Sequence, residues 1–221
     1  MQIRMKSVLL WGACLALVGL GILGAVHFAK PPVVIAVSDT ALPRSVDAAD
    51  APRTTGDANA PVQIVVYSDF QCPSCGYFAD NLHGLPADAS GRVRVVYRYF
   101  PLPQHSNAIL AATAAEAAAM QGKFWEMHDL LFAKQKEWSP MAAADAQVAM
   151  RRYAEELRLN LTAFEKDMNS PEVLKRIQAS QIEAMTGRLR QTPSVFINGR
   201  LVENISQPGV LKGAIYAAGP R

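Results

Sequence analysis

The chain begins with a long apolar run. Residues 7–29 carry no formal charge and consist mostly of Leu, Val, Ile, Ala and Gly. A bilayer core requires about 20 predominantly apolar residues in a helix, so residues 1–29 are predicted to be a transmembrane signal anchor. The alternative is a cleaved signal peptide, with a distant cleavage site at residues 36–38. Arg4 and Lys6 precede the run, which predicts a cytoplasmic N-terminus and an exported C-terminal part.

A polar segment separates the apolar run from a region with the sequence patterns of strands and helices. Residues 30–60 are rich in Ala, Pro, Asp, Thr and Ser, lack periodicity, and are predicted to be a flexible tether. The folded domain is predicted to span residues 61–221. Val62–Tyr67 is a nearly continuous apolar run, typical of a strand buried on both faces. A helix is predicted over Cys72–Leu82, and a second strand over Val93–Phe100.

Helical patterns dominate residues 104–190, which are predicted to form an inserted helical subdomain. One of its helices is predicted over Pro171–Leu189. The predicted buried face of that helix consists of Leu174, Ile177, Ile182, Met185 and Leu189. Asn198-Gly199 between two short β-branched runs predicts a hairpin, and a last helix is predicted over residues 208–217. This order of elements predicts an α/β fold with a mixed sheet flanked by helices.

Charge and cysteine content narrow the possible functions. The formal net charge is only +3 and acidic and basic residues are interspersed, so nucleic-acid binding is not expected. Of the three cysteines, Cys14 lies in the apolar run and the others are Cys72 and Cys75. An exported domain with a single closely spaced pair has no disulfide framework. The pair is therefore predicted to perform chemistry.

The sequence Cys72-Pro73-Ser74-Cys75 at the start of a predicted helix suits dithiol exchange. The unpaired amides and partial positive charge of a helix N-terminus stabilise a thiolate at Cys72. Pro73 is compatible with the first turn, where its missing N–H is not needed. Pro73 and Ser74 are candidate tuning residues that add no charge. Cys72 is predicted to be the nucleophile and Cys75 the resolving thiol.

A zinc site or a static disulfide is the alternative interpretation of the pair. Zinc would require two further ligands. His83, His105 and His128 show no partner spacing that would supply them. No metal and no other cofactor is therefore expected.

Thr192-Pro193 directly precedes the first strand of the predicted hairpin. Proline lacks a ladder donor and belongs at a strand edge. From the residues alone a trans bond is expected, because only about 5–6% of X–Pro bonds in folded proteins are cis.

Four segments together resemble the DsbA-like branch of the thioredoxin superfamily. They are Phe70–Cys75, Tyr99–Leu102, Gln121–Trp125 and Thr192–Gly199. They occur in order across the whole predicted domain. The resemblance implies a thioredoxin fold with a helical insertion. It also implies that Pro193 is cis and faces the cysteines, and that the Thr192 backbone pairs with substrate chains as an added strand.

One position departs from this resemblance. Thioredoxins and many DsbA-like proteins carry a buried acid six residues before the first cysteine, where this chain has Val66. Asp69 is nearer the pair, and the sequence leaves open whether it tunes the cysteines or only forms a turn. His105 is expected to start a helix and face solvent.

The resemblance implies a protein disulfide oxidoreductase that acts on unfolded or reduced exported proteins in a bacterial cell envelope. Oxidation of substrates is favoured because no dimerisation domain is evident, with a DsbB-like membrane partner reoxidising the pair. The reverse reaction, as a reductase or isomerase, would use a DsbD-like partner. A peptide-binding chaperone or a copper-handling protein is the rival of another class.

Overall fold

The computed structural model describes residues 37–41, 48–82, 85 and 91–219. The anchor predicted over residues 1–29 lies outside the described residues. Within the described residues, no helix is both long enough and apolar enough to cross a bilayer.

A six-stranded mixed sheet forms the centre of the described residues. Its strands are β1 (Val37–Ala41), β2 (Thr54–Thr55), β3 (Val62–Ser68), β4 (Val93–Tyr99), β5 (Ser194–Ile197) and β6 (Arg200–Val202). They lie in the order β1-β6-β5-β3-β4-β2. The pair β3–β4 is parallel and the other pairs are antiparallel. The predicted mixed sheet flanked by helices is confirmed.

The parallel pair carries the redox motif. Strand β3 is buried along nearly its whole length, as its β-branched composition predicts. Helix α1 (Pro73–Leu82) follows it, and β4 then pairs with β3 from Val62↔Val93 to Ser68↔Tyr99. This βαβ order places the start of α1 just beyond the carboxyl end of β3.

The C-terminal hairpin places a second loop beside that point. Asn198 and Gly199 have φ values of 48° and 79°, the conformation that a two-residue hairpin turn requires. Gln63 donates its backbone N–H to Asn198 Oδ1 at 2.8 Å, which fixes the hairpin to the start of β3. Because β5 runs antiparallel to β3 with Tyr67 opposite Ser194, the residues before Ser194 reach the end of β3.

Helices occupy most of the chain between β4 and β5. Their bounds are α2 (Ala108–Ala119), α3 (Phe124–Ala133), α4 (Gln135–Trp138), α5 (Ala143–Glu156), α6 (Leu161–Met168) and α7 (Pro171–Thr186). A last helix, α8 (Val210–Ala218), follows the hairpin. Helix α6 was not predicted, although Asn160 caps it by accepting the Ala163 N–H at 3.0 Å. The small side chains of α2 are almost all buried and allow close helix packing.

The buried face predicted for α7 is confirmed at Ile177 and wrong at three other positions. Leu189, also predicted to be buried, is 5% exposed but lies beyond the end of the helix. Ile177 is buried, but Leu174, Ile182 and Met185 are 37%, 62% and 55% exposed. The helix instead buries Val173 and Ala184 beside Ile177.

Ion pairs explain the orientation of α7. Arg176 donates to Glu116 Oε1 at 3.1 Å and Glu183 accepts from Arg98 at 2.7 Å. The Glu183 side chain is 15% exposed and the Arg176 side chain 45%, whereas their partners Arg98 and Glu116 are buried. Buried charge requires a partner, so these pairs orient the helix against its apolar periodicity.

The prediction of a flexible tether over residues 30–60 also differs from the structure. Residues 37–41 form β1, residues 48–53 form a 3-10 helix, and residues 54–55 pair with β4 as β2. Asp50 and Arg53 in this segment are 1% and 6% exposed. Their polar character suggested a tether, but it serves buried ion pairing.

The buried ion pairs form a connected network. Arg53 Nη1 donates to both carboxylate oxygens of Glu116, at 2.9 and 2.7 Å. The Tyr99 hydroxyl donates to Glu116 at 2.8 Å, and Arg98 donates to Asp50 at 3.0 Å. Glu116 is fully buried in an otherwise alanine-rich helix. The network therefore joins the N-terminal segment to the helical block and the sheet.

We expect Glu116→Gln to lower the free energy of unfolding by about 3 kcal/mol, because it removes the buried carboxylate charge that Arg53 contacts at 2.7 Å. Urea unfolding measures the change. Glu126→Gln is the matched control, since Glu126 pairs with Lys123 where both side chains are 45% exposed. That variant should cost less than about 1 kcal/mol. Equal losses in the two variants would contradict the role given to the network.

Candidate active site

The two cysteines lie at the first turn of α1. Cys72 directly precedes the helix, and its carbonyl oxygen accepts the N–H groups of Cys75 and Gly76 at 3.1 and 3.2 Å. Both cysteines are free thiols in this structure. Cys72 is 8% exposed and Cys75 only 1%, whereas Pro73 and Ser74 are exposed. Cys72 is thus the more accessible sulfur, in agreement with the predicted order of attack.

The environment of Cys72 favours its thiolate. The pKa of Cys72 is lowered to about 5, chiefly by a hydrogen bond from the Cys75 thiol, which burial opposes, and also by hydrogen bonds from Thr192 and the amides of Cys75 and Ser74. These amides lie at the helix N-terminus, where the partial positive charge favours a thiolate. Cys72 is therefore ionised at neutral pH.

The environment of Cys75 favours its protonated thiol. Burial raises the pKa of the Cys75 thiol well above its ordinary value, and the hydrogen bond and charge of Cys72 raise it further. The Ser68 hydroxyl and the Asp69 backbone oppose this rise. The reduced pair thus holds one proton on Cys75 and one negative charge on Cys72.

The Thr192–Pro193 peptide bond is cis. The Thr192 carbonyl oxygen lies 3.5 Å from Cys72 Sγ, so this loop faces the nucleophilic sulfur as the resemblance implied. The pairing of the Thr192 backbone with substrate stays a prediction.

Asp69 acts as the central acceptor of the turn before the cysteines. Its carboxylate is 2% exposed and accepts the backbone N–H groups of Gln71 and Leu102 at 2.7 and 2.8 Å. Its Oδ2 also lies 2.7 Å from His105 Nδ1. The expectation that His105 faces solvent is wrong, because this pairing draws the ring onto the turn. A tuning role for Asp69 stays a prediction.

Ser68 is the polar side chain that reaches Cys75 from the sheet. Val66, the residue at the acid position, is 1% exposed and cannot accept a proton. Ser68 is 4% exposed and hydrogen-bonds Cys75. A hydroxyl can pass a proton on but does not retain it. Because Val66 occupies the acid position, Cys75 has this hydroxyl beside it in place of a carboxylate acceptor.

Glutamine side chains connect the helical block to the redox turn. Gln135 Nε2 donates to the carbonyl oxygens of Phe70 and Cys72 at 2.7 and 2.8 Å. Gln71 Oε1 accepts the Asn107 backbone N–H at 2.6 Å. These residues could not be predicted from the sequence, because a side-chain amide that bonds to a residue more than thirty positions away leaves no local sequence pattern.

An aromatic cluster supports the same turn from below. Phe70 stacks on Tyr97 with 5.1 Å between ring centroids and contacts Phe132 at 5.0 Å. Phe124 packs on Tyr97 at 5.4 Å. Phe124 and Phe132 are buried in the core of the insertion. Among the residues that the structure describes, no three His, Cys, Asp or Glu side chains are grouped as a metal site requires.

Comparison with known proteins identifies the family and the fold. The family model described as Thioredoxin matches residues 48–217. A Na(+)/H(+) antiporter, NhaA 3 of Salinispora tropica, is 40% identical over 174 residues, which cover 76% of this chain and 25% of that protein. The chain thus spans about a quarter of the length of the curated relatives that it matches.

Several solved structures share this fold. BdbD from Bacillus subtilis superposes with a TM-score of 0.66 at 19% identity, covering 75% of this chain and 91% of that one. A thioredoxin-like oxidoreductase from Silicibacter pomeroyi gives 0.62 at 28% identity, covering 82% and 93%. DsbA2 from Pseudomonas aeruginosa gives 0.57 at 23% identity, covering 74% and 91%.

We expect the reduced protein to show one thiolate with a pKa of about 5, detected by ultraviolet absorbance during pH titration. Cys75→Ala should raise the pKa of Cys72, because it removes the thiol that donates to the sulfur. Cys75→Ser is the matched control, since its hydroxyl preserves a donor, and it should raise the pKa less. An identical pKa in all three proteins would contradict the assigned hydrogen bond.

Proposed function

The chain belongs to the thioredoxin family, as a DsbA-like protein disulfide oxidoreductase, and from this premise we propose that it introduces disulfides into exported proteins. The observation that carries the proposal is the stabilised Cys72 thiolate beside the buried Cys75 thiol. A dithiol whose reduced form is stabilised is a stronger oxidant in its disulfide form.

The proposed reaction moves two electrons from substrate to protein. A substrate thiolate attacks Cys72 of the disulfide, and Cys75 leaves as a thiolate that takes up a proton. The second substrate thiol then loses its proton and attacks the substrate sulfur of the mixed disulfide. The products are a substrate disulfide, the Cys72 thiolate and the Cys75 thiol. The proton that the second substrate thiol loses balances the proton that Cys75 takes up.

The loop at Thr192 is the proposed binding element for substrate. Its carbonyl oxygen lies 3.5 Å from Cys72 Sγ, and it directly precedes β5. An extended substrate chain would pair with the Thr192 backbone as an added strand and place its sulfur in line with Cys72. The exposed Pro73 and Ser74 leave this side of the pair open.

We also propose that the domain acts outside the cytoplasm, in the bacterial cell envelope. The apolar residues 7–29 support a membrane anchor. The curated relatives, named as antiporters, support a position beside a membrane. A DsbB-like, quinone-coupled membrane partner would then take the two electrons from Cys72 and Cys75 and regenerate the disulfide.

We expect the reduction potential of the folded domain, measured by equilibration with glutathione buffers, to lie well above the value of about −270 mV for thioredoxin and nearer the value of about −120 mV for DsbA. The reason is that ionisation of Cys72 stabilises the reduced form. A potential at or below that of thioredoxin would replace the oxidase proposal with reduction or isomerisation of disulfides.

We expect Cys75→Ser to accumulate mixed disulfides between Cys72 and exported proteins, because the resolving thiol is missing. Diagonal electrophoresis, run with and without reductant, measures them. The control is the double variant Cys72→Ser with Cys75→Ser, which should trap nothing and should not oxidise a reduced substrate. Full activity in refolding assays of that double variant would instead identify a chaperone.

A further inference from the structure

The side chain of Gln135 reaches the redox turn from the helical block. Gln135 begins α4, which follows α3 after the single residue Lys134. Its Nε2 donates to the Phe70 carbonyl oxygen at 2.7 Å and to the Cys72 carbonyl oxygen at 2.8 Å. One amide therefore uses both of its hydrogens to hold the chain on either side of Gln71.

Gly76 provides the space for this amide. A Cβ at Gly76 would lie 2.8 Å from Gln135 Oε1 and 3.4 Å from its Cδ. Gly76 is not among the residues with positive φ, so its backbone does not require glycine. The Gln135 amide thus packs directly against the first turn of α1.

The carbonyl group that Gln135 binds is central to that turn. The Cys72 oxygen also accepts from Cys75 N and Gly76 N. The amides of Ser74 and Cys75 in the same turn donate to the Cys72 sulfur. A shift of the Cys72 carbonyl would therefore change how these donors point at the thiolate.

We propose that Gln135 is a positioning residue through which the inserted helical block holds the redox turn in the geometry that stabilises the Cys72 thiolate. This inference rests on the exchange chemistry proposed for Cys72 and Cys75. It assigns to the insertion a role in the reactivity of the pair, in addition to its packing.

The first test compares Gln135→Met with Gln135→Glu. Methionine has a similar length and no donors, so the pKa of Cys72 should rise by about one unit, as expected for the loss of hydrogen bonds worth about 1 kcal/mol. A rise of that size makes the equilibrium constant for oxidation of glutathione by the disulfide about tenfold smaller. This corresponds to a reduction potential about 30 mV lower. Glutamate should raise the pKa further, because its carboxylate faces two carbonyl oxygens and the thiolate.

The matched controls are Gln147→Met and Gln147→Glu. Gln147 lies exposed on α5 in the same helical block. These variants should leave both the pKa of Cys72 and the potential unchanged. A change equal to that of the Gln135 variants would overturn the proposal, because the effect would then not depend on contact with the turn.

Gly76→Ala tests the same contact from the other side. In the wild-type background it should displace the Gln135 amide and raise the pKa of Cys72. In the Gln135→Ala background the space is free, so Gly76→Ala should leave the pKa unchanged while it stabilises the helix. This double-mutant cycle isolates the coupling between the two residues, and it holds even if Gln135→Glu fails to fold.

The proposal is overturned if the Gln135 variants lower the free energy of unfolding but leave the pKa of Cys72 and the potential as in the wild type. Gln135 would then only contribute packing. A wild-type potential near that of thioredoxin would count against the oxidase direction alone. The difference between variant and wild type would still decide the role of Gln135.

Discussion

The thiolate at Cys72 is stabilised first by the hydrogen bond from the Cys75 thiol and then by donors around the first turn of α1. Among these donors are the backbone amides of Ser74 and Cys75, which lie at the helix N-terminus. The rest of the site depends on keeping this arrangement. Strand β3 sets where the turn begins, and the cis loop at Thr192 lies against the Cys72 sulfur. The aromatic rings that pack on Phe70 support the turn on the side of the core.

The two sulfurs differ in the property that exchange requires. Cys72 is partly accessible and ionised, whereas Cys75 is buried and protonated, with each group shifting the pKa of the other. An incoming thiolate therefore meets the accessible sulfur first, and the buried sulfur is the leaving group. With Val66 at the position of the usual acid, Ser68 is the side chain in contact with the Cys75 thiol. This contact places beside Cys75 a hydroxyl that can relay a proton.

Features with a local physical cause could be predicted from the sequence. The β-branched composition predicted β3, Asn198-Gly199 predicted the hairpin turn, and the spacing of the two cysteines predicted the redox turn. The cis bond at Pro193 required a family resemblance, because local statistics favour trans. Contacts between distant polar side chains could not be predicted. Glu116 and Arg53 are 63 positions apart, and so are Gln135 and Cys72. Hence the buried N-terminal segment, the face of α7, His105 and Gln135 emerged only from the structure.

The helical block contributes to the redox chemistry through the relative stability of two states. For a dithiol and its disulfide, the reduction potential reports how much better the folded protein accommodates the reduced form. An interaction that is equally strong in both states, such as the Arg53–Glu116 pair far from the sulfurs, adds stability without changing that difference. An interaction that is stronger when Cys72 carries a charge makes the disulfide more oxidising. The Gln135 contact to the Cys72 carbonyl lies within the turn whose donors respond to that charge. Through this contact the insertion would influence the relative stability of the two redox states, in addition to its packing.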